Sequence, residues 1–391
     1  MNRRQFVLIG GVSLVAGASA ALLWRPGLPM RYAAAGRSVQ TGRGRLLVTY
    51  DFNPGILTNY FDSPSKSGLL VLDLDREIGQ VITTPFNIHA VEVFGERRER
   101  GFGTSKYGDS IAEFDLENFA VVRKRPTGSD WILMGHLAML PGGAVLAATA
   151  AKDDPQGGAP DCALALFDVQ TLELRDIIPL PKEKPSHHDC KVYAFEQNRV
   201  VTTGGNCLYL VDTTTKTVET RSVEGVGSDS GLRHFSISRD GRIGVQCNQM
   251  KDVDRPTWIY GKAEVAYFGV EGESLLVRPP ELLRPEFERE LLDVVFDAQG
   301  ENFGIVLRSA GIVYFFHTQS GKLRRQVVMK NAVRMVLTND GRHFAVVTFE
   351  GIEYIDATTL KHRQELRQFA PFFTSLFMGN QLPTFAHVTL T

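Results

Sequence analysis

The sequence predicts an all-β chain, a single seven-bladed β-propeller of four-stranded antiparallel blades, on three observations. Beyond residue 43 the 391-residue chain has almost no helical periodicity and reads as short Val-, Ile-, Leu-, Phe- and Tyr-rich runs broken by Gly, Asp, Asn and Thr, the pattern of many short strands. A strand closing on an apolar residue plus Asp, a turn and a second strand recur seven times. A second hairpin, turned on glycine, alternates with the first.

The Asp-marked hairpins are LVLDLDREIGQVI at Asp73, AEFDLENFAVV at Asp115, LALFDVQTLELRDI at Asp168 and LYLVDTTTKTVET at Asp212. VAYFGVEGESLLV carries Gly269 in the Asp place, VYFFHTQSGKLRR carries His317 there, and EYIDATTLKHRQEL closes the series at Asp356. Asp, Thr and Gly suit tight connections between antiparallel strands. The spacing of about forty to sixty residues matches one four-stranded blade. The glycine hairpins are HLAMLPGGAVLAATA at Gly143, HFSISRDGRIGVQC at Gly241, DVVFDAQGENFGIVL at Gly300 and RMVLTNDGRHFAVVT at Gly341. They supply the inner two strands of a blade, and the Asp-marked hairpins supply the outer two. Blade one lacks its innermost strand, since GRLLVTYDF reads as a second strand and SGLLVLDLD as a third. Residues 371–391 exceed what blade seven needs, so the C-terminal tail is expected to fill the gap and close the ring, removing exposed sheet edges.

The first thirty residues stand apart from the propeller, which is assigned to residues 31–391. Arg3 and Arg4 precede Phe6 and an apolar Gly/Ala-rich run that ends near Ala18-Ser19-Ala20. A basic head, an apolar stretch and a small-residue cleavage site make an export signal, and the paired arginines select the twin-arginine route. The expectation is a periplasmic protein, membrane-associated only where the leader stays uncleaved as an inner-membrane anchor. Basic and acidic residues number 43 and 44 without blocks of like charge, which argues against a nucleic-acid partner. Cys162, Cys190, Cys207 and Cys247 lack metal-ligand spacing; disulfides and buried free thiols both remain open.

A column of polar residues carries the functional reading. His136, His234, Asp293 and Arg334 each stand seven residues before the hairpin glycine of their blade. His89 and His188 begin the corresponding strands of blades two and four, and blade one is unassigned. Opening the innermost strands, these residues belong near the axis at one mouth of the channel. By topology the long loops at residues 51–66, 152–160 and 249–258 share that mouth, where binding sites are usually built. Neutral imidazoles suit Fe, Cu, Ni or Zn, Asp293 would add an oxygen ligand, and Arg334 would meet an anion beside the metal. The other reading is structural: histidines at such positions can hydrogen-bond between blades, and a wide channel leaves their convergence undecided. His187 lies outside the column. Asp153, Asp154, Asp252 and Asp254 read as solvated loop carboxylates rather than a calcium site. No nucleophile elbow, phosphate-binding glycine loop, HExxH or CxxC is present.

With these features in view, the chain resembles a bacterial family of twin-arginine-exported seven-bladed propellers of unknown function. Its members are commonly encoded beside imelysin-type iron-uptake proteins and dihaem-peroxidase-like proteins. The resemblance spans about residues 44 to 368 and is clearest in MGHLAMLPGGAVLAATA, HHDCKVYAFEQNRVVTTGG and GLRHFSISRDGRIGVQCNQM followed by Asp254-Arg255-Pro256. It implies that His136, His188 and His234 match the family's inner-strand histidines, and that iron-uptake proteins are partners. Blade one, the tail and the PGG and EQN turns depart from the family pattern. Three functions follow from different classes. The first is a periplasmic protein binding a metal or metal complex at the histidine face. The others are a non-catalytic interaction scaffold, and a metal-dependent hydrolase or quinoprotein-like oxidoreductase. Three scattered tryptophans do not make quinoprotein blade motifs, and a single column carboxylate is few for a hydrolase.

Overall fold

A computed structural model of the chain describes residues 32–33, 42–51, 67–94, 99–152, 159–183, 187–193, 198–222, 225–227, 230–250, 258–268, 274–278, 291–377 and 384–391. The leader, most of the three long loops, Gly269 and the four loop aspartates lie outside the described residues.

The strands run in chain order through antiparallel sheets. β1 (Tyr32–Ala33), β2 (Arg45–Asp51), β3 (Gly68–Asp73) and β4 (Ile78–Thr83) share a sheet. β5 (Ile88–Phe94), β6 (Arg100–Gly108), β7 (Ser110–Asp115) and β8 (Ala120–Pro126) pair in sequence, as do β9 (Ile132–Met139), β10 (Val145–Lys152), β11 (Asp161–Asp168) and β12 (Leu174–Leu180). These two groups are fused where Lys106 and Gly108 of β6 face Met134 and Leu133 of β9. Three four-stranded sheets follow: β13 (Cys190–Val192) to β16 (Val218–Ser222) through β14 (Arg199–Gly204) and β15 (Cys207–Asp212); β17 (Ser230–Ile237), β18 (Ile243–Met250), β19 (Trp258–Phe268) and β20 (Ser274–Val277); and β21 (Leu291–Phe296), β22 (Asn302–Leu307), β23 (Ile312–His317) and β24 (Leu323–Val328). β25 (Ala332–Leu337), β26 (His343–Thr348) and β27 (Gly351–Asp356) form a three-stranded sheet. After the helix α1 (Ala370–Phe377), β28 (Thr384–Leu390) returns to pair antiparallel with β2.

Burial explains the strand composition. Middle strands are buried almost throughout, as in β3, β22 and β26, whereas the fourth strands β8 and β24 are largely exposed. A strand covered on both faces needs a continuous apolar run, and an outer strand does not. The core is accordingly a set of layers between neighbouring sheets. Val306, Val313 and Phe315 pack on Phe344, Val346 and Ile355, and Leu47, Leu69 and Val71 pack on Ile88, Ala112 and Phe114.

Both hairpin types have a physical cause. In the glycine hairpins, Gly143, Gly241, Gly300 and Gly341 take φ of 69°, 86°, 70° and 69°, and each donates its N–H to the carbonyl three residues earlier. In the other type the marker aspartate accepts backbone N–H bonds from the turn: Asp115 from Glu117 and Asn118, Asp212 from Thr214 and Thr215, Asp356 from Thr358 and Thr359. His317 replaces Asp because its Nδ1 accepts the Ser320 N–H at 3.3 Å. The three-stranded sheet β25–β27 differs from the sequence reading. In place of a regular fourth strand, Ile355 and Ile352 bridge singly to His362 and Gln368, because a 3-10 turn at Gln364–Leu366 interrupts the segment.

Neighbouring sheets are tied by threonines of second strands. Thr49 Oγ1 donates to the His89 carbonyl at 2.6 Å, Thr149 to that of His188 at 2.8 Å, and Thr203 to that of Arg233 at 2.7 Å. Buried aspartates add to this. Asp189 accepts the Phe235 N–H and Asp293 the Met335 N–H, each from the next inner strand.

Candidate metal centre

Two inner strands begin earlier than the sequence reading placed them, so His136 and His234 are each the fifth residue of their strand, whereas β13 begins two residues after His188. A repeated irregularity marks the inner-strand ladders. The ladder slips between Ile88 and Val91 on β5, between Leu133 and Leu137 on β9, and between Leu232 and Phe235 on β17. It slips again between Leu291 and Val294 on β21, and beside Arg334 on β25. Such β-bulges leave extra residues unpaired and re-aim a side chain. Here they fall beside His89, His136 and His234, while His188 reaches the same place from the segment just before β13, whose ladder is regular. Gly135 permits the tightest approach: its φ is +99°, and an added Cβ would lie 2.7 Å from His89 Cβ. Gly135→Ala is expected to cost about 2 kcal/mol or more, since left-handed backbone alone penalises an L-residue by about 1–2 kcal/mol. Chemical denaturation checks this; an unchanged midpoint would refute it.

His89, His136, His188 and His234 converge. Their candidate ligand atoms all lie within 4.8 Å of one another, and all four residues are buried. Ring centroids are 4.7 Å apart for His89–His136 and His136–His188, and 5.0 Å for His188–His234. Donors around a tetrahedral ion, with metal–nitrogen bonds of about 2.0–2.1 Å, stand roughly 3.4 Å apart, so a modest contraction would seat one.

The hydrogen bonds bear on the two readings of the column. Neither ring nitrogen of His89 has a partner among the described residues, nor do His136 Nε2 and His234 Nδ1. Threonines and aspartates join the blades, while these imidazole nitrogens are buried and unsatisfied. Leaving buried polar atoms unmade is costly, and here three of the converging histidines leave theirs facing one another. His136 Nδ1 instead meets Asp189 Oδ1 at 3.0 Å, which fixes the tautomer with Nε2 as the free donor to a metal. Arg233 Nη2 lies 3.1 Å from His188 Nε2.

Asp293 and Arg334 are not brought to this centre as a free ligand pair. They meet each other across adjacent blades, Arg334 Nη1 to Asp293 Oδ1 at 3.1 Å, both buried. The column therefore splits into four converging imidazoles and one ion-paired pin. His187, outside the column as expected, stacks on Tyr209 and bonds the Pro181 carbonyl. All four cysteines are free thiols.

Two residues escaped the sequence reading. His387 of β28 occupies the vacant blade-one place, its ring 4.9 Å from His136 and 5.5 Å from His234. Asp189, next to His188, anchors His136, Lys191 and the Phe235 N–H. Its one sequence signal is its place directly after a column histidine. A cavity of about 330 Å³ adjoins the centre and is lined by His136, His387, Asp189, Lys191 and Glu92 among apolar neighbours.

Electrostatics keep the imidazoles neutral. Burial, then nearby positive charge, pushes His89, His188 and His234 well below the ordinary value of 6.5, the leading cations being Lys106, Arg233 and Arg334 respectively. Burial, then His136, does the same to His387. Burial lowers His136 too, against the pull of Asp189. Burial alone would raise the Asp189 carboxyl, but Lys191 and His136 hold it well below the carboxylate range.

No protein-family model matches the chain, and no curated protein matches it. Solved structures of similar fold include hydrazine synthase of Kuenenia stuttgartiensis, with a TM-score of 0.59 at 13% identity over 75% of this chain and 90% of that one. A putative 6-phosphogluconolactonase of Bacteroides fragilis has a TM-score of 0.59 at 11% identity, covering 90% of this chain and 99% of its own. An oligogalacturonate lyase in complex with manganese has 0.50 at 13%, covering 82% and 94%. At such identities the likeness is one of fold, and by fold the chain is a β-propeller protein.

Proposed function

We propose that this protein is an exported metal-binding β-propeller whose central channel holds one first-row transition-metal ion on His89, His136, His188 and His234. The carrying observation is the convergence of four buried imidazoles, three of which, His89, His136 and His234, carry a ring nitrogen with no partner among the described residues, while His188 faces Arg233. An all-nitrogen neutral donor set suits Fe, Cu, Ni or Zn rather than calcium or magnesium. Depressed basicity favours the unprotonated form that binds metal, and the Asp189–His136 pair is a carboxylate–histidine support of the kind found behind metal ligands.

Around this site the reading is of a seven-bladed ring closed by β28 on β2. The twin-arginine leader would deliver it folded to the periplasm, and the family resemblance points to iron and to imelysin-type uptake proteins as partners. The lactonases and the manganese-bound lyase show that propellers host catalysis, but fold does not carry function, so metal holding is the reading adopted.

Elemental analysis of protein purified from periplasm is expected to find one equivalent of Fe, Cu or Zn per chain. A His136→Ala/His234→Ala double variant is expected to remain folded by circular dichroism and to come out empty. An empty wild-type protein that also takes up none of these ions on titration, or a variant that keeps the metal, would overturn the proposal.

A further inference from the structure

We infer that His387 is a fifth ligand, so that the bound ion clasps the C-terminal strand to the rest of the ring; the inference rests on the metal reading above. Four observations lead there. The strand carrying His387 comes from the far end of the chain, and its residue faces Thr49 in the β2–β28 ladder. That ladder slips beside His387, where Thr49 faces His387 and Tyr50 faces Phe385, an irregularity shared with the ladders beside His89, His136 and His234. The His387 ring stands 4.9 Å from His136, within the 4.7–6.0 Å range of the four among themselves. It stands 5.5 Å from His234 and 6.2 Å from His89, so it must draw in further than the others to reach a shared ion. Its Nδ1 is buried with no partner among the described residues.

The two chain ends meet at one side chain. Thr49 Oγ1 accepts the His387 N–H at 2.9 Å and donates to the His89 carbonyl at 2.6 Å. An ion held by His89 and His387 would therefore span the junction that this hydroxyl already bridges. Among the described residues β28 pairs with β2 alone, and a strand held along one edge opens more readily than one held along both. Each opening would remove one ligand, so an ion that prefers the five-ligand site must oppose opening by mass action. The cavity beside His136 and His387 would then border the ion on the β28 side, making strand departure a route for exchange.

Hydrogen exchange of residues 384–391 in the full chain, without metal and with Zn²⁺, tests this. With Zn²⁺ at a hundredfold excess over Kd, these amides are expected to slow by up to about 100-fold. His387→Gln, which keeps a polar side chain of similar reach, is expected to abolish that slowing and weaken Zn²⁺ binding at least about tenfold, as loss of even an outer-shell partner does. Metal-dependent protection of β5, β9 and β17 would persist in the variant, which reports that it is folded. Wild-type protein that binds Zn²⁺ without slowing β28, or a His387→Gln variant of unchanged Kd and protection, overturns the clasp and leaves the four-histidine site standing. Wild-type protein that binds no metal overturns both.

Discussion

Metal-free protein is expected to lose stability steeply as pH falls from about 7.5 to 5.5. His89, His188, His234 and His387 are held well below 6.5 by burial first, and His136 is lowered by burial against Asp189. His187, outside the cluster, is brought down to about 4 by burial. In the unfolded chain each would titrate near 6.5. Below that value the unfolded state binds more protons than the folded one, so stability rises with pH and drains away as pH falls. Each histidine that stays neutral when folded contributes about 1.4 kcal/mol between pH 7.5 and 5.5. The four held well below 6.5, with His187, therefore approach about 7 kcal/mol over that window, and His136 adds less. Domains have only about 5–15 kcal/mol to lose. Asp293 works against the trend by one group at most, since burial raises its carboxyl despite Arg334; Asp189 titrates below the window. Urea midpoints at stepped pH measure the slope. The His136→Ala/His234→Ala variant should lower it by roughly one to two protons, the full share of His234 and part of one for His136. A midpoint flat between pH 7.5 and 5.5 would show that the imidazoles are not held neutral.

The same chain shows what a sequence can and cannot say about such a site. The histidine column was legible because a hairpin glycine with positive φ fixes where an inner strand ends, and a constant seven-residue offset then marks a constant height in the ring. The Asp-marked turns were legible for a similar local reason, the carboxylate capping the turn N–H groups. Convergence was not legible. It comes with ladder slips at Ile88–Val91, Leu133–Leu137 and Leu232–Phe235, which arise between strands. His387 stayed hidden because its strand follows neither hairpin marker, so the expected closing segment carried no register. Asp293 and Arg334 were read as ligands because the column aligned them with the histidines. The structure pairs them with each other, Arg334 Nη1 to Asp293 Oδ1.

That pairing leads to a second large effect. Asp293→Ala is expected to lower the unfolding free energy by about 3–5 kcal/mol, the usual result of stranding one member of a buried ion pair. The carboxylate is engaged twice, by Arg334 Nη1 at 3.1 Å and by the Met335 N–H at 2.8 Å. Its loss leaves a guanidinium that is 4% exposed with its charge uncompensated, beside His234. Arg334→Met in the Asp293→Ala background should restore much of the loss, because a buried pair replaced by apolar volume is often nearly neutral. The Met335 N–H remains unpaired, so recovery should fall short by about 1–3 kcal/mol, the cost of an unmade buried donor. Metal content should be unchanged in the double variant, since the imidazoles alone would hold the ion. If the double variant instead loses metal while regaining stability, Asp293 and Arg334 belong to the ligand site and the division of the column into pin and centre is wrong. The charge argument adds a sign that a purely structural pin would not give. Arg334 helps hold His234 below the ordinary imidazole value, so its removal should let His234 take a proton more readily and shift acid unfolding in the direction of a shallower slope.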